Sequence, residues 1–172
     1  QARQSGLKVL AEPVGMNAAG EPDPATLGPR IESLKARGAE WLYLGPDTFV
    51  AFTHRQVTTE AAVRAGLPAF SANESAIRDA NALFGLFSPV ENMARFVAFK
   101  AAQVLKGEKK VDEIPIETLQ SFSVLVNLCV AHHLKIYPPM TLLGYADVRL
   151  PATAMPADEA AARKACTSLN TN

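Results

Sequence analysis

Apolar positions in this sequence fall into short runs separated by helical stripes, and glycines mark the joins. Gly6, Gly38, Gly66 and Gly107 each close a helix-compatible stretch, where a left-handed residue is commonly needed and glycine supplies it without steric cost. After the first three come Leu7 to Val14, Trp41 to Leu44 and Leu67 to Ser71, runs that suit strands buried on both faces. Asp23 and Pro24 provide an N-cap and a first-turn proline for Ala25 to Arg37, in which Leu27, Ile31 and Leu34 share one face. A second helix is predicted from about Phe49 to Ala65. A third spans Glu91 to Lys106, where Met93, Phe96, Val97, Ala101, Val104 and Leu105 keep a helical period.

This alternation predicts an α/β fold, a parallel sheet flanked by helices, with strands near Lys8 to Glu12, Trp41 to Leu44, Ala69 to Ser71 and Leu83 to Phe87. Ile114 to Asn127 reads as strand, turn, strand, with Pro115 at an edge or a strand start. Leu128 to Leu134 reads as a short helix that Pro138 and Pro139 end. From Pro151 the composition turns to Ala, Thr, Pro and small polar residues with one helical patch near Asp158 to Ala165, a peripheral tail. Gln1 to Gln4 reads as the last turn of a helix, and a single turn is not stable alone. The chain is therefore expected to be a piece of a longer protein that supplies a preceding strand and most of that helix.

Length and charge narrow the function. The 172 residues suffice for one lobe. Lys plus Arg and Asp plus Glu number 17 each, for a formal net charge of zero, so there is no field to draw nucleic acid or an anionic membrane surface. No apolar stretch reaches the roughly 18 residues a bilayer span requires. No basic stretch followed by an apolar one opens the chain, so any export signal of the parent lies outside these residues. Cys129 and Cys166 lack zinc-like spacing and read as two unlinked thiols.

In open α/β sheets ligands bind beyond the carboxyl ends of the strands, and those positions are polar here. Asp47 and Thr48 follow the second apolar run, Ser71, Asn73 and Glu74 the third, and Phe87 with Ser88 the fourth. Singly, Asp47, Ser71 and Asn73 are the usual residues of caps and turns. Together, with Phe49 and Phe87 as an apolar wall, they read as a ligand-binding rim. His54 and Arg55 start the second helix, where they either face solvent or hold an anion with free amides. Cys129 and His133 sit one turn apart, too few ligands for a metal. Asn73-Glu74-Ser75 matches the glycosylation pattern, a weak signal. Phosphate loops, dinucleotide fingerprints, nucleophile elbows and paired metal-binding histidines do not occur, so no cofactor or metal is expected and nothing marks an enzyme.

Leu105-Lys106-Gly107-Glu108-Lys109, Ile114-Pro115-Ile116-Glu117-Thr118, Phe122, Val126-Asn127-Leu128 and Ile136-Tyr137-Pro138-Pro139 together resemble a known pattern. So do Tyr43-Leu44-Gly45-Pro46-Asp47, His54-Arg55, Ala65-Gly66-Leu67-Pro68-Ala69 and Gly85. The sequence is similar to the ABC transporter substrate-binding proteins of the tryptophan and tyrosine uptake type, over Gly6 to about Leu150. That resemblance implies a two-lobed type I periplasmic binding protein, of which this chain supplies the C-terminal half. Residues 1–88 would form the core of that lobe, 89–118 a crossover segment with a helix belonging to the other lobe, 119–150 a return strand and terminal helix, and 151–172 a tail. It further implies a small amino-acid-like or aromatic solute held between the lobes, an ABC permease in the membrane as partner, and a periplasmic or extracytoplasmic location. Asp47, Thr48, Ser71, Asn73, Glu74 and Phe87 would lie in the cleft-facing loops. Helix 91–106 would lack its home sheet, leaving its apolar stripe for another copy, another chain or self-association. The alternatives are an α/β small-molecule enzyme and a regulatory ligand-binding domain, which finding a bound solute without turnover would separate.

Overall fold

The computed structural model describes residues 2–118 and 122–149. Its centre is a five-stranded sheet in which β1 (Leu42–Leu44), β2 (Ala69–Ser71), β3 (Phe84–Phe87), β4 (Ser123–Asn127) and β5 (Ala146–Arg149) lie side by side in chain order. Neighbours are parallel except β3 and β4, which pair antiparallel with Gly85 opposite Leu125 and Phe87 opposite Ser123. The fold class is the α/β one the alternation predicts, with a mixed sheet in place of a wholly parallel one.

Three helices cover one side of β1 to β3. They are α1 (Leu27–Ala36), α2 (Arg55–Arg64) and α3 (Glu74–Arg78). The stripe of Leu27, Ile31 and Leu34 is buried as its spacing predicts. Helix α2 buries small residues, Thr58, Thr59, Ala61, Ala62 and Val63, so it packs closely on α1. Its two buried hydroxyls are satisfied locally, Thr58 donating to the carbonyl of His54 at 2.9 Å and Thr59 to that of Arg55 at 2.7 Å. Ile31, Leu34, Leu44, Leu67, Ile77, Phe87 and Leu125 join in one core, each such side chain contributing about 1.5–3 kcal/mol on burial. A smaller core of Val63, Leu83, Val130 and Ala131 lies under α5 (Leu128–Leu134).

Gly6, Gly38, Gly66 and Gly107 all have positive φ, at 75°, 85°, 64° and 73°. The four punctuation marks are thus in the conformation that glycine tolerates best.

Several expectations are corrected. Lys8 to Glu12 forms no strand and joins no ladder. The helix predicted from Phe49 begins as a π-helical turn, Phe49–Thr53, before α2. Ile114 to Thr118 holds no strand; a short 3-10 turn, Val111–Glu113, precedes it. Beyond Pro139 the chain adds α6 (Met140–Leu143) and β5, neither of which the pattern predicts. Cys129 is disulfide-bonded, against the expectation of unlinked thiols; Cys166, with the tail 151–172, lies outside the described residues. Between β3 and β4 runs α4 (Val90–Leu105), in which no residue is buried. No helix among the described residues is long and apolar enough to cross a membrane.

Candidate functional site

Because β1, β2 and β3 run parallel, their carboxyl ends open on one rim, and the loops that follow each strand meet there. They enclose an open-sided cavity of about 420 Å³, within the size range of small-molecule sites. Asp47 and Thr48 come from the loop after β1, Asn73 and Glu74 from the loop after β2, and Phe87 from the end of β3.

Local chemistry fixes this rim. The Asp47 carboxylate accepts from the Val50 N–H at 2.7 Å, so it turns the chain into the π-helical turn. Asn73 caps α3 by accepting from the Ser75 N–H at 3.1 Å, and its side-chain amide donates to the Ala51 carbonyl at 3.3 Å. Glu74 pairs with Arg78 one turn on, at 2.8 Å. Asp47 and Asn73 thus make the capping bonds their residue types predict and also line the cavity, and a capping carboxylate keeps lone pairs free. Thr48 makes no side-chain cap bond.

Ser71 stands apart from the other five sequence candidates. It is fully buried and does not line the cavity; its Oγ accepts from the Asn73 N–H at 3.0 Å and so positions the loop from below. Ser88, placed with Phe87 at the fourth strand end, also lines the cavity, as do Pro46, Phe52, Ala72, Val90 and Met93. Met93 carries a readable signal, since it opens the third apolar stripe, and Val90 lies one residue before the predicted helix.

Arg55 is committed elsewhere. Its Nη1 donates to the Phe52 carbonyl at 2.7 Å and the guanidinium sits 5.5 Å from the centre of the Phe52 ring, while His54 packs on Phe49 at 4.4 Å. Neither lines the cavity, whose described lining carries two carboxylates and no cationic side chain. Among the described residues no cluster of His, Cys, Asp and Glu could hold a metal.

No family description and no curated protein matches this sequence. Solved structures do match in shape. A conserved domain protein from Vibrio cholerae aligns with a TM-score of 0.68 at 20% identity, covering 86% of this chain and 46% of its own. The ABC domain in complex with L-Trp from Streptococcus pneumonia aligns at 0.67 and 16%, covering 86% and 47%. The ligand-free, open form of a substrate-binding protein with adhesive properties from Clostridium difficile aligns at 0.66 and 20%, covering 86% and 46%. The α/β architecture is that of a substrate-binding-protein lobe, and the fold is periplasmic-binding-protein-like. This chain spans just under half the length of each of these structures.

Proposed function

We propose that this chain is one lobe of a solute-binding protein of the ABC-importer type, which holds a small amino-acid-like or aromatic ligand and passes it to a membrane permease outside the cytoplasm. The observation that carries the reading is the cavity at the carboxyl ends of three parallel strands, polar on one wall and apolar on the other. Asp47, Thr48, Asn73 and Glu74 supply polar groups, and Phe52, Phe87, Val90 and Met93 a hydrophobic wall. The Asp47 carboxylate, with no lining cation, favours a ligand that presents an ammonium group, Glu74 being paired already with Arg78, and the apolar wall favours a hydrophobic body beside it. Binding, not catalysis, is the reading, supported by the likeness in shape to a substrate-binding protein and to a domain in complex with L-Trp. The other half of the ligand shell would come from a second lobe closing over the first, with helix α4 and residues 89–118 belonging to that side.

Titration of the isotope-labelled chain with aromatic and aliphatic amino acids, and with the matching amines, tests this. Amide shifts should concentrate at Asp47 to Phe52, Ala72 to Glu74 and Phe87 to Met93, and weaken in Asp47→Ala and Glu74→Ala. Shifts confined to other surfaces, or equal shifts in both variants, would overturn the site; turnover of the ligand would overturn the transport reading.

A further inference from the structure

The turn Phe49–Thr53 is wound more widely than the α-helix it leads into. It is π-helical, closed by a bond from the His54 N–H to the Phe49 carbonyl at 2.8 Å, and single π turns are rare and frequently fall at functional sites. Side chains from four positions fasten its backbone. The Asp47 carboxylate holds the Val50 N–H, and the Asn73 amide holds the Ala51 carbonyl. Thr58 shares its hydroxyl between the carbonyls of His54 and Val50, 3.2 Å from the latter, and Arg55 holds the carbonyl of Phe52. Ala51, at the centre of the turn, is fully buried.

On this fastened backbone the Phe52 side chain is 52% exposed and lines the solute cavity. A large ring held half in water on an ordered turn suits a binding contact, because the backbone beneath it needs no further ordering when the ligand arrives. The Arg55 guanidinium lies over the ring, and Arg55 does not line the cavity, so the side of the ring it covers is turned from the ligand. Its Nε is buried without a hydrogen-bond partner, and Arg55 makes no ion pair among the described residues. Ion pairing therefore does not account for where this side chain lies; its contacts with the carbonyl and ring of Phe52 do.

We propose that Phe52 determines specificity in the cavity, offering the free side of its ring to a flat, π-bearing body of the ligand, with Arg55 as its positioning residue. The inference rests on the solute-binding reading and goes beyond it by assigning the two ends of the ligand to separate partners. A guanidinium on one side of the ring already draws on its quadrupole, so an ammonium group on the other side would meet a like charge across the ring. A neutral aromatic body meets no such repulsion and gains offset or edge contacts that an aliphatic one lacks. The ammonium end then goes to Asp47, which is bonded to Val50 two residues before Phe52, and the aromatic end to Phe52.

Binding of 2-phenylethylamine and 2-cyclohexylethylamine to the isotope-labelled chain tests it, since the two share charge and length and differ in π character. The chain should bind the phenyl compound roughly 2- to 12-fold more tightly, the range an aromatic pair adds beyond area burial. Phe52→Leu, which alters a half-exposed side chain and leaves the turn's backbone bonds in place, should abolish that preference while both amines still bind. Arg55→Met should reduce the preference as well. A merely structural loss would weaken both amines equally and leave their ratio unchanged, and that result in Arg55→Met would overturn the role given to Arg55. Without any variant, NOEs should join the aromatic protons of bound 2-phenylethylamine to the Phe52 ring. NOEs to Phe87 alone, or a ratio that Phe52→Leu leaves unchanged, would overturn the proposal. Equal binding of the two amines, or binding of amino acids but of neither amine, would overturn it and leave the solute reading standing; failure of all of them to bind would overturn both.

Discussion

The side-chain amide of Asn73 donates to the carbonyl of Ala51 at 3.3 Å, fastening the loop after β2 to the turn after β1. The same side chain caps α3 through the Ser75 N–H. Asn73→Ala removes both functions, so it should cost about 0.5–2 kcal/mol for the cap and about 1 kcal/mol more for the lost hydrogen bond. Asn73→Asp keeps the acceptor and loses the donor, and its cost should be the smaller. Urea unfolding of the two variants checks the order; equal losses would show that the Ala51 bond carries the whole effect.

Two glycines should respond differently to alanine. A Cβ on Gly85 would meet the Ser71 carbonyl oxygen and lie 2.7 Å from Ile77 Cδ1. Gly85→Ala should therefore destabilise by about 1–3 kcal/mol, as overpacking does. Gly28 lies in α1 with open space around its Cβ position apart from its chain neighbours, but the ring of the following Pro29 disfavours helical backbone at a residue that carries a Cβ; this offsets the roughly 0.5–1 kcal/mol that alanine contributes over glycine in a helix, and Gly28→Ala should leave stability nearly unchanged. Thermal melts of both single variants test the pair.

The layered part of the fold is legible because glycine and period speak plainly: Ala69–Ser71 and Leu128–Leu134 are found where the pattern puts them. Lys8 to Glu12 looks like a strand for sound reasons of composition, but a strand also needs a neighbour, and no local pattern reports whether one is beside it. Strand β5 is missed because Tyr145, Ala146 and Asp147 lack the apolar run of its partners; β4 recruits it by backbone pairing. At the rim, Asp47, Thr48, Asn73, Glu74 and Phe87 follow from strand ends alone. Ser71 differs from them only through pleat direction, which buries alternate residues of β2, and Phe52 only through the π-helical turn that brings it round to the cavity.

Acid should loosen the segment Leu7 to Val14 before the core. The hydrogen bond from Arg30, followed by the charges of Arg30 and Arg37, holds the Glu12 carboxyl below its ordinary value. A depressed folded-state pKa means the contribution is complete above the ordinary glutamate value and is lost as pH falls through the lower, folded one. Exchange at Lys8 to Glu12 side-chain contacts, read by the chemical shifts of Leu10, should therefore change only in that acid window. Glu12→Gln should show the loosened spectrum at neutral pH and no further acid step; an unchanged acid step would place the titration on another group.

Helix α4 should be the weakest of the long elements and the most tolerant. Its 16 residues include none that is buried, and an isolated helix of that length is marginal in water. Local pairs sustain it: Glu91 with Arg95 at 2.6 Å, Lys100 with Glu117, and Lys100 over the Phe96 ring at 5.3 Å. Such exposed pairs contribute only about 0.2–1 kcal/mol each. Amides within α4 should consequently exchange well ahead of those in α2. Val97→Lys and Phe99→Lys, at 65% and 60% exposure, should change the stability of this chain by no more than about 0.5 kcal/mol, whereas Ile77→Ala in the core should cost about 2–5 kcal/mol. If sedimentation shows the chain to self-associate through the apolar stripe, Val97→Lys, on that stripe, should reduce the association, and Phe99→Lys, on the opposite side of the helix, should not. A large stability loss from either lysine variant in a monomeric sample would mean that α4 packs on the sheet in solution, and would remove the basis for assigning it to a second lobe.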